Sequence, residues 1–143
     1  MRQLIQLGTA VILACVILVS WGRSSSAAAT PAPSVDPKIM AAAKEWFHRF
    51  QTGDVDRSQL NAEVNQQVTA EGVRKEEATL KAFGEPLRFR FLSSGPIKGA
   101  MGYYFLIGFR AGKIVEALAY DVDGKIAGID FQTFVVDTPD SST

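Results

Sequence analysis

The chain has 143 residues, 15 Lys and Arg against 15 Asp and Glu, a single histidine and a single cysteine. That length fits one domain, and one cysteine cannot close an internal disulfide or build a cysteine-based zinc site. Balanced charge without a basic patch or an Arg-rich run argues against nucleic acid or an anionic membrane surface as partner.

Residues 1–29 read as an export signal. Arg2 supplies a short positive start, AVILACVILV (10–19) an unbroken apolar stretch, and Ala27-Ala28-Ala29 the small residues that signal peptidase cleaves after. An uncleaved anchor is the alternative, since Leu4 to Trp21 approaches bilayer-spanning length although Gln6, Thr9 and Ser20 dilute it. A lipoprotein signal fits less well, because the apolar run continues past Cys15. Cleavage would remove Cys15, Arg2 and Arg23, leaving no cysteine and 13 basic against 15 acidic residues, a net charge of −2. The expected location is therefore the periplasm or the exterior.

After a Pro/Ala/Ser linker (30–36), Asp36-Pro37 reads as an N-cap with proline at the first helical position. Ile39, Ala43, Trp46, Phe47 and Phe50 recur at helical spacing, leaving Lys44 and a solvated His48 on the other face. Thr52-Gly53 stops that helix. Asp56-Arg57-Ser58-Gln59 has the form of a capping box, and Leu60, Val64 and Val68 behind it mark a second helix. A third runs from about Thr69 to Phe83, burying Val73, Leu80 and Phe83, and Gly84 with Pro86 ends it.

From Leu87 the apolar period becomes two. LRFRFL (87–92), YYFLIGFR (103–110), KIVEALAYD (113–121) and IAGIDFQTFVV (126–136) read as four antiparallel strands. SSGPIKGAMG is expected as a loop, Ala111-Gly112 and Asp123-Gly124 as two-residue turns, and 137–143 as a disordered tail. The Asp121-x-Asp123-Gly124 stretch also invites a calcium reading. It fails, because Lys125 and Ile126 occupy the ligand and glycine positions and Gln132 stands where a bidentate glutamate is needed. No metal and no cofactor is expected.

With two-residue turns, Phe105 would face Leu118, Ile107 would face Glu116, Tyr103 would face Tyr120, and Glu116 would face Phe131. One sheet face then gathers Tyr103, Phe105, Ile107, Phe109, Ile114, Leu118, Tyr120, Ile129 and Phe131 around one carboxylate, Glu116. The other is small or polar, with Tyr104, Gly108, Ala117, Ala119, Gly128, Asp130 and Gln132. The Trp46/Phe50 helix face is the available cover for the aromatic side, and a curved sheet over helices commonly leaves a cavity at its open end. Glu116 is either a pocket residue that binds a polar group or moves a proton, or a rim residue that is solvated or paired with an arginine. Trp46, Tyr103 and Tyr120 could form an aromatic binding wall beside it, or simply core.

Three helices followed by a four-stranded meander resemble the cone-shaped α+β fold of the nuclear transport factor two-like, or cystatin-like, superfamily. More narrowly, WFHRFQTGDVDRSQL, FGEP and YDVDGKIAGIDF resemble a small domain of exported bacterial proteins, itself without assigned activity, which is sometimes appended to serine hydrolases of the β-lactamase type. The likeness covers about residues 38 to 134 and rests on turns and caps. It implies helices on a curved antiparallel sheet. The wider superfamily includes isomerases and dehydratases that pair an acidic or histidine base with tyrosine donors, and onto that set only Glu116, Tyr103 and Tyr120 map.

Three functions remain in play. The first is an exported, non-catalytic domain binding a small apolar ligand or an envelope protein through Trp46, Tyr103, Glu116 and Tyr120. The second is an isomerase- or dehydratase-like enzyme with Glu116 as base. The third is a scaffold that forms homodimers.

Overall fold

The computed structural model describes residues 31–135. The expected signal peptide (1–29) and tail (137–143) lie outside the described residues. Helix α1 (Pro37–Thr52) starts where expected: the Asp36 carboxylate accepts from the Lys38 N–H at 2.8 Å, with proline at the first position. It ends at Gly53, whose φ of 74° is the left-handed conformation glycine adopts without strain. Helix α3 (Ala70–Phe83) is capped by the Thr69 hydroxyl on the Gly72 N–H at 3.0 Å and stops at Gly84.

The middle helix departs from expectation. Asp56 caps only a 3-10 turn (Arg57–Gln59), and its carboxylate is engaged by Ser58 and by the Gln59 side chain. Leu60 is extended, forms a parallel bridge with Ile126, and hands on to Asn61, whose N–H donates to the Ile126 carbonyl at 2.9 Å. Helix α2 (Ala62–Gln67) therefore begins later, with Asn61 Oδ1 accepting from the Val64 N–H. Its far end is held by Arg57, which donates to the Asn65 and Val68 carbonyls. The strand-like contact buries Leu60 and Ile126 together, and the apolar surface it removes from water favours it over a helix starting at Asp56.

Strands β1 (Arg88–Ile97), β2 (Ala100–Gly108), β3 (Gly112–Tyr120) and β4 (Ile126–Val135) form one antiparallel sheet in the order β1-β2-β3-β4. The class is α+β, with three helices packed on an open four-stranded sheet. Residues 93–102 are not a loop: β1 continues to Ile97 and turns at Lys98-Gly99, both at positive φ (45° and 83°), the requirement of a type I′ hairpin. Leu87 lies outside β1 and is 65% exposed, so it is not part of the core. Phe91 pairs with Phe105 and Ser93 with Tyr104, so Leu92 is an extra residue. This bulge flips the rest of β1 and carries Ile97 to the outer face, where it packs over Gly102.

The β2–β3 register is shifted from the expected one. Phe109 and Gly112 bond across the turn, which makes Arg110-Ala111 the loop. Phe105 faces Glu116, Ile107 faces Ile114, Tyr103 faces Leu118 and Met101 faces Tyr120. The displacement is two positions along β3, so every side chain keeps its expected face. The β3–β4 turn has three residues, Val122 to Gly124. Asp121 N–H donates to the Lys125 carbonyl at 2.9 Å, and Gly124 sits at φ 74°. A bulge at Ala127 absorbs the extra residue, so Glu116 faces Phe131 as expected.

The core lies between the inner sheet face and α1. Phe105, Ile107, Ile114 and Leu118 from the sheet meet Ala43, Trp46, Phe47 and Phe50 from the helix, with Val73 and Leu80 of α3 behind them. Phe47 is the hub, its ring 6.0 Å from Phe89, 5.7 Å from Phe109 and 6.0 Å from Phe131. Each such fully buried side chain stabilises the fold by about 1.5–3 kcal/mol.

Candidate functional site

Glu116 is placed by strand alternation. It follows Ile114 and precedes Leu118 on the inner face, with Phe105 opposite on β2 and Phe131 opposite on β4. It is 0% exposed, and neither carboxylate oxygen has a hydrogen-bond partner among the described residues. The rim placement, solvated or paired with an arginine, is thereby overturned. Burial raises its pKa well above the ordinary glutamate value, because the charged form has lost its water and gained nothing in return. Burial thus favours the protonated form of Glu116 in this aromatic interior.

Two of the three aromatic candidates stand on the same face. Tyr103 and Tyr120 are half-buried, and their rings meet edge-on at 6.4 Å. The Tyr120 hydroxyl has its pKa raised, first by burial and then by the negative potential of Glu116. Trp46 is buried on α1, packed against Phe50 at 6.3 Å and covered by the Arg49 guanidinium, which Glu45 holds from the other side at 2.7 Å. It serves the core between helix and sheet.

An open concavity lies on the opposite side of the sheet. A pocket of about 460 Å³ has a floor of Gly102, Ala117, Ala119 and Gly128, and is bordered by Ile97, Tyr104 and Asp130. Small residues on three adjacent strands, Gly102 and Gly128 flanking Ala119 with Ala117 beside it, create the depth, and the Leu92 bulge supplies Ile97 as one wall. Of the four residues singled out in the sequence, Tyr103 alone contributes to it. Glu116 and the groove are separated by the sheet itself.

Two features escaped the sequence reading. Asp130 shares a small hollow of about 170 Å³ with Glu76 of α3, whose pKa is raised by partial burial and then by the Asp130 charge. Lys44 and His48 of α1 and Arg88 of β1 line a groove between the two elements. The α1 periodicity placed Lys44 and His48 on one side of the helix, and only the folded chain brings the start of β1 beside them. Asp121, the first residue of the suspected calcium loop, spends one carboxylate oxygen on the N–H groups of Asp123 and Lys125 at 3.0 and 2.9 Å. Among the described residues there is no group of three or more His, Cys, Asp or Glu side chains that could hold a metal ion, and no helix is long and apolar enough to cross a membrane.

Compared with family models, curated proteins and solved structures, the chain has no significant match.

Proposed function

We propose that this is an exported, non-catalytic binding domain that receives an apolar group, from a small molecule or an envelope protein, in the groove on the outer face of its sheet. One observation carries the choice of binding over catalysis. Glu116, the single strongly perturbed acid among the described residues, is fully buried on the inner face, while the small-floored concavity lies on the far side of the sheet. A general base has to come within hydrogen-bond reach of the proton it removes, and Glu116 has no exposed atom from which to do so. The groove has the features of a binding surface: an apolar floor without large side chains and a rim with a few polar groups. Export rests on the character of residues 1–29, and kinship with the nuclear transport factor two-like superfamily on the order of elements and the three quoted motifs.

The isomerase-like reading retains one point in its favour, an acid whose pKa burial raises, with two tyrosines on its own face. It requires α1 to lift away from the sheet and admit substrate.

Native mass spectrometry of residues 30–143, purified from the periplasm of an expressing cell, tests the binding reading. The wild-type chain is expected to carry an excess mass, from a small molecule or a co-purifying envelope protein, and Ala117→Phe, which fills the groove floor, is expected to lose it. An excess mass retained by the variant would move the site elsewhere, and a bare wild-type chain, monomer or dimer, would count against the reading.

A further inference from the structure

An open sheet has two edges, and the order β1-β2-β3-β4 makes β1 and β4 the edges here. An edge strand presents a row of unpaired N–H and C=O groups that another strand can join unless something blocks it. The β1 edge is blocked. Arg88 and Arg90 place charge along it, the Leu92 bulge breaks its regular spacing, and Pro96 lacks a donor.

The β4 edge divides into two parts. Its first part is occupied: Leu60 bridges Ile126, the Asn61 N–H donates to the Ile126 carbonyl, and residues 129–131 border a hollow with Gln67, Gly72 and Val73. From Gln132 to Val135 every residue is exposed, Phe134 by 53% and Val135 by 69%. Among the described residues, β3 is the one strand paired with this stretch, and no backbone hydrogen bond reaches it from a loop or helix. Phe131-Gln132-Thr133-Phe134-Val135 carries no charge, no proline and no bulge, and its aromatic and β-branched residues favour pairing.

We infer that β4 pairs through this edge with β4 of a second copy, antiparallel about a two-fold axis at Thr133. The stretch is complementary to itself in that register. Phe131 of each copy meets Val135 of the other on the inner face, and Thr133 meets Thr133. An aromatic against a β-branched side chain and a threonine pair are both favourable across strands. On the outer face Gln132 meets Phe134. Asp130, which adjoins the run, falls outside it, whereas an axis one residue earlier would set its carboxylate against Phe134. Two four-stranded sheets thus join into one continuous antiparallel sheet. Its remaining edges are two copies of β1, which are blocked, so assembly closes at the dimer instead of growing into a filament. The outer groove stays open, because Gly102, Ala117, Ala119 and Gly128 lie outside the paired run. So short a pairing buries less than a standard interface, and the dimer dissociates on dilution.

Sedimentation velocity of the chain purified from the periplasm, from micromolar to millimolar concentration, tests this. Wild type is expected to pass from monomer to dimer across that range. Gln132→Lys with Phe134→Lys sets like charges opposite each other on both sides of the axis, and should weaken self-association at least about tenfold. Gln132→Glu with Phe134→Glu should do the same. Both positions are exposed, so both double variants keep the fold, which thermal melting checks. An equimolar mixture of the two should restore the dimer, because position 132 of one chain then faces position 134 of the other with opposite charge. Thr133→Cys, a smaller change, should cross-link to its own copy on mild oxidation. Ala117→Phe, on the outer face, should dimerise like wild type. A wild type that stays monomeric at millimolar concentration, double variants that associate like wild type, or a mixture that stays monomeric would each overturn the assignment. So would the absence of the Thr133→Cys cross-link or a dimer lost in Ala117→Phe.

Discussion

Glu116 makes the stability of this fold depend on pH in a direction opposite to most carboxylates. In the unfolded chain it ionises near the ordinary glutamate value, about 4.3. In the folded chain it stays protonated well above that, because burial penalises its charge. Unfolding therefore releases a proton at any pH between the two values. The contribution of Glu116 is fully present below about pH 4.3 and is lost progressively as pH rises toward the folded value, at about tenfold in the folding constant per pH unit. Glu116→Gln keeps the shape and removes the titration, so its stability curve should be flatter over that window. Glu116→Met also removes the two unpartnered oxygens, each a desolvated polar atom. That variant should exceed wild type by about 1–3 kcal/mol at pH 4, from relief of the unsatisfied group alone, and by more at pH 7, where the unfolded wild-type chain also gains by ionising Glu116. Urea denaturation of the three proteins from pH 4 to 8, followed by tryptophan fluorescence, measures all of this. A wild-type curve that is flat or rises through the window, or a Met variant less stable than wild type at pH 7, would refute the isolation of this carboxyl.

Other expectations concern the turns. Gly112→Ala should cost about 2–4 kcal/mol, because φ is 156° there and a Cβ would run into the Phe134 carbonyl; thermal melting compares the two. Lys98→Asn should stabilise by roughly 0.5–1 kcal/mol, since Lys98 occupies a left-handed position of a type I′ turn that asparagine tolerates better. Asp121→Ala should cost about 1–2 kcal/mol through loss of its two backbone contacts. Added calcium should leave the melting temperature of wild type unchanged, and a calcium-dependent rise would revive the metal reading.

Much of the architecture was legible because local chemistry and tertiary structure agree. Asp36-Pro37, Thr69 and Gly84 mark helix ends through caps that need no long-range partner. The alternation from Phe105 to Phe131 assigned both sheet faces, and it survived a two-position register shift because the period is two. What could not be read depends on distant neighbours. Ser93 to Pro96 have little strand preference, yet β2 pairs with them through the Leu92 bulge. The Asp56 box lost its helix to the Leu60–Ile126 bridge, a contact across 66 positions of chain. For the candidate site, Glu116 was correctly placed among aromatics, but its lack of any partner depends on which cations the fold brings near. The outer groove was hidden for a related reason: its wall, Ile97, reaches that face only through the bulge.

The most direct test of the central claim is a map of where a bound species sits. Backbone amide shifts would be compared between the chain as isolated from the periplasm and the same chain after extraction and refolding. The account predicts changes clustered at Gly102, Ala117, Ala119 and Gly128 on the outer face. Changes centred on Trp46, Phe50 and Glu116 would contradict it, placing the working site beneath α1 and restoring Glu116 as the group that meets the ligand.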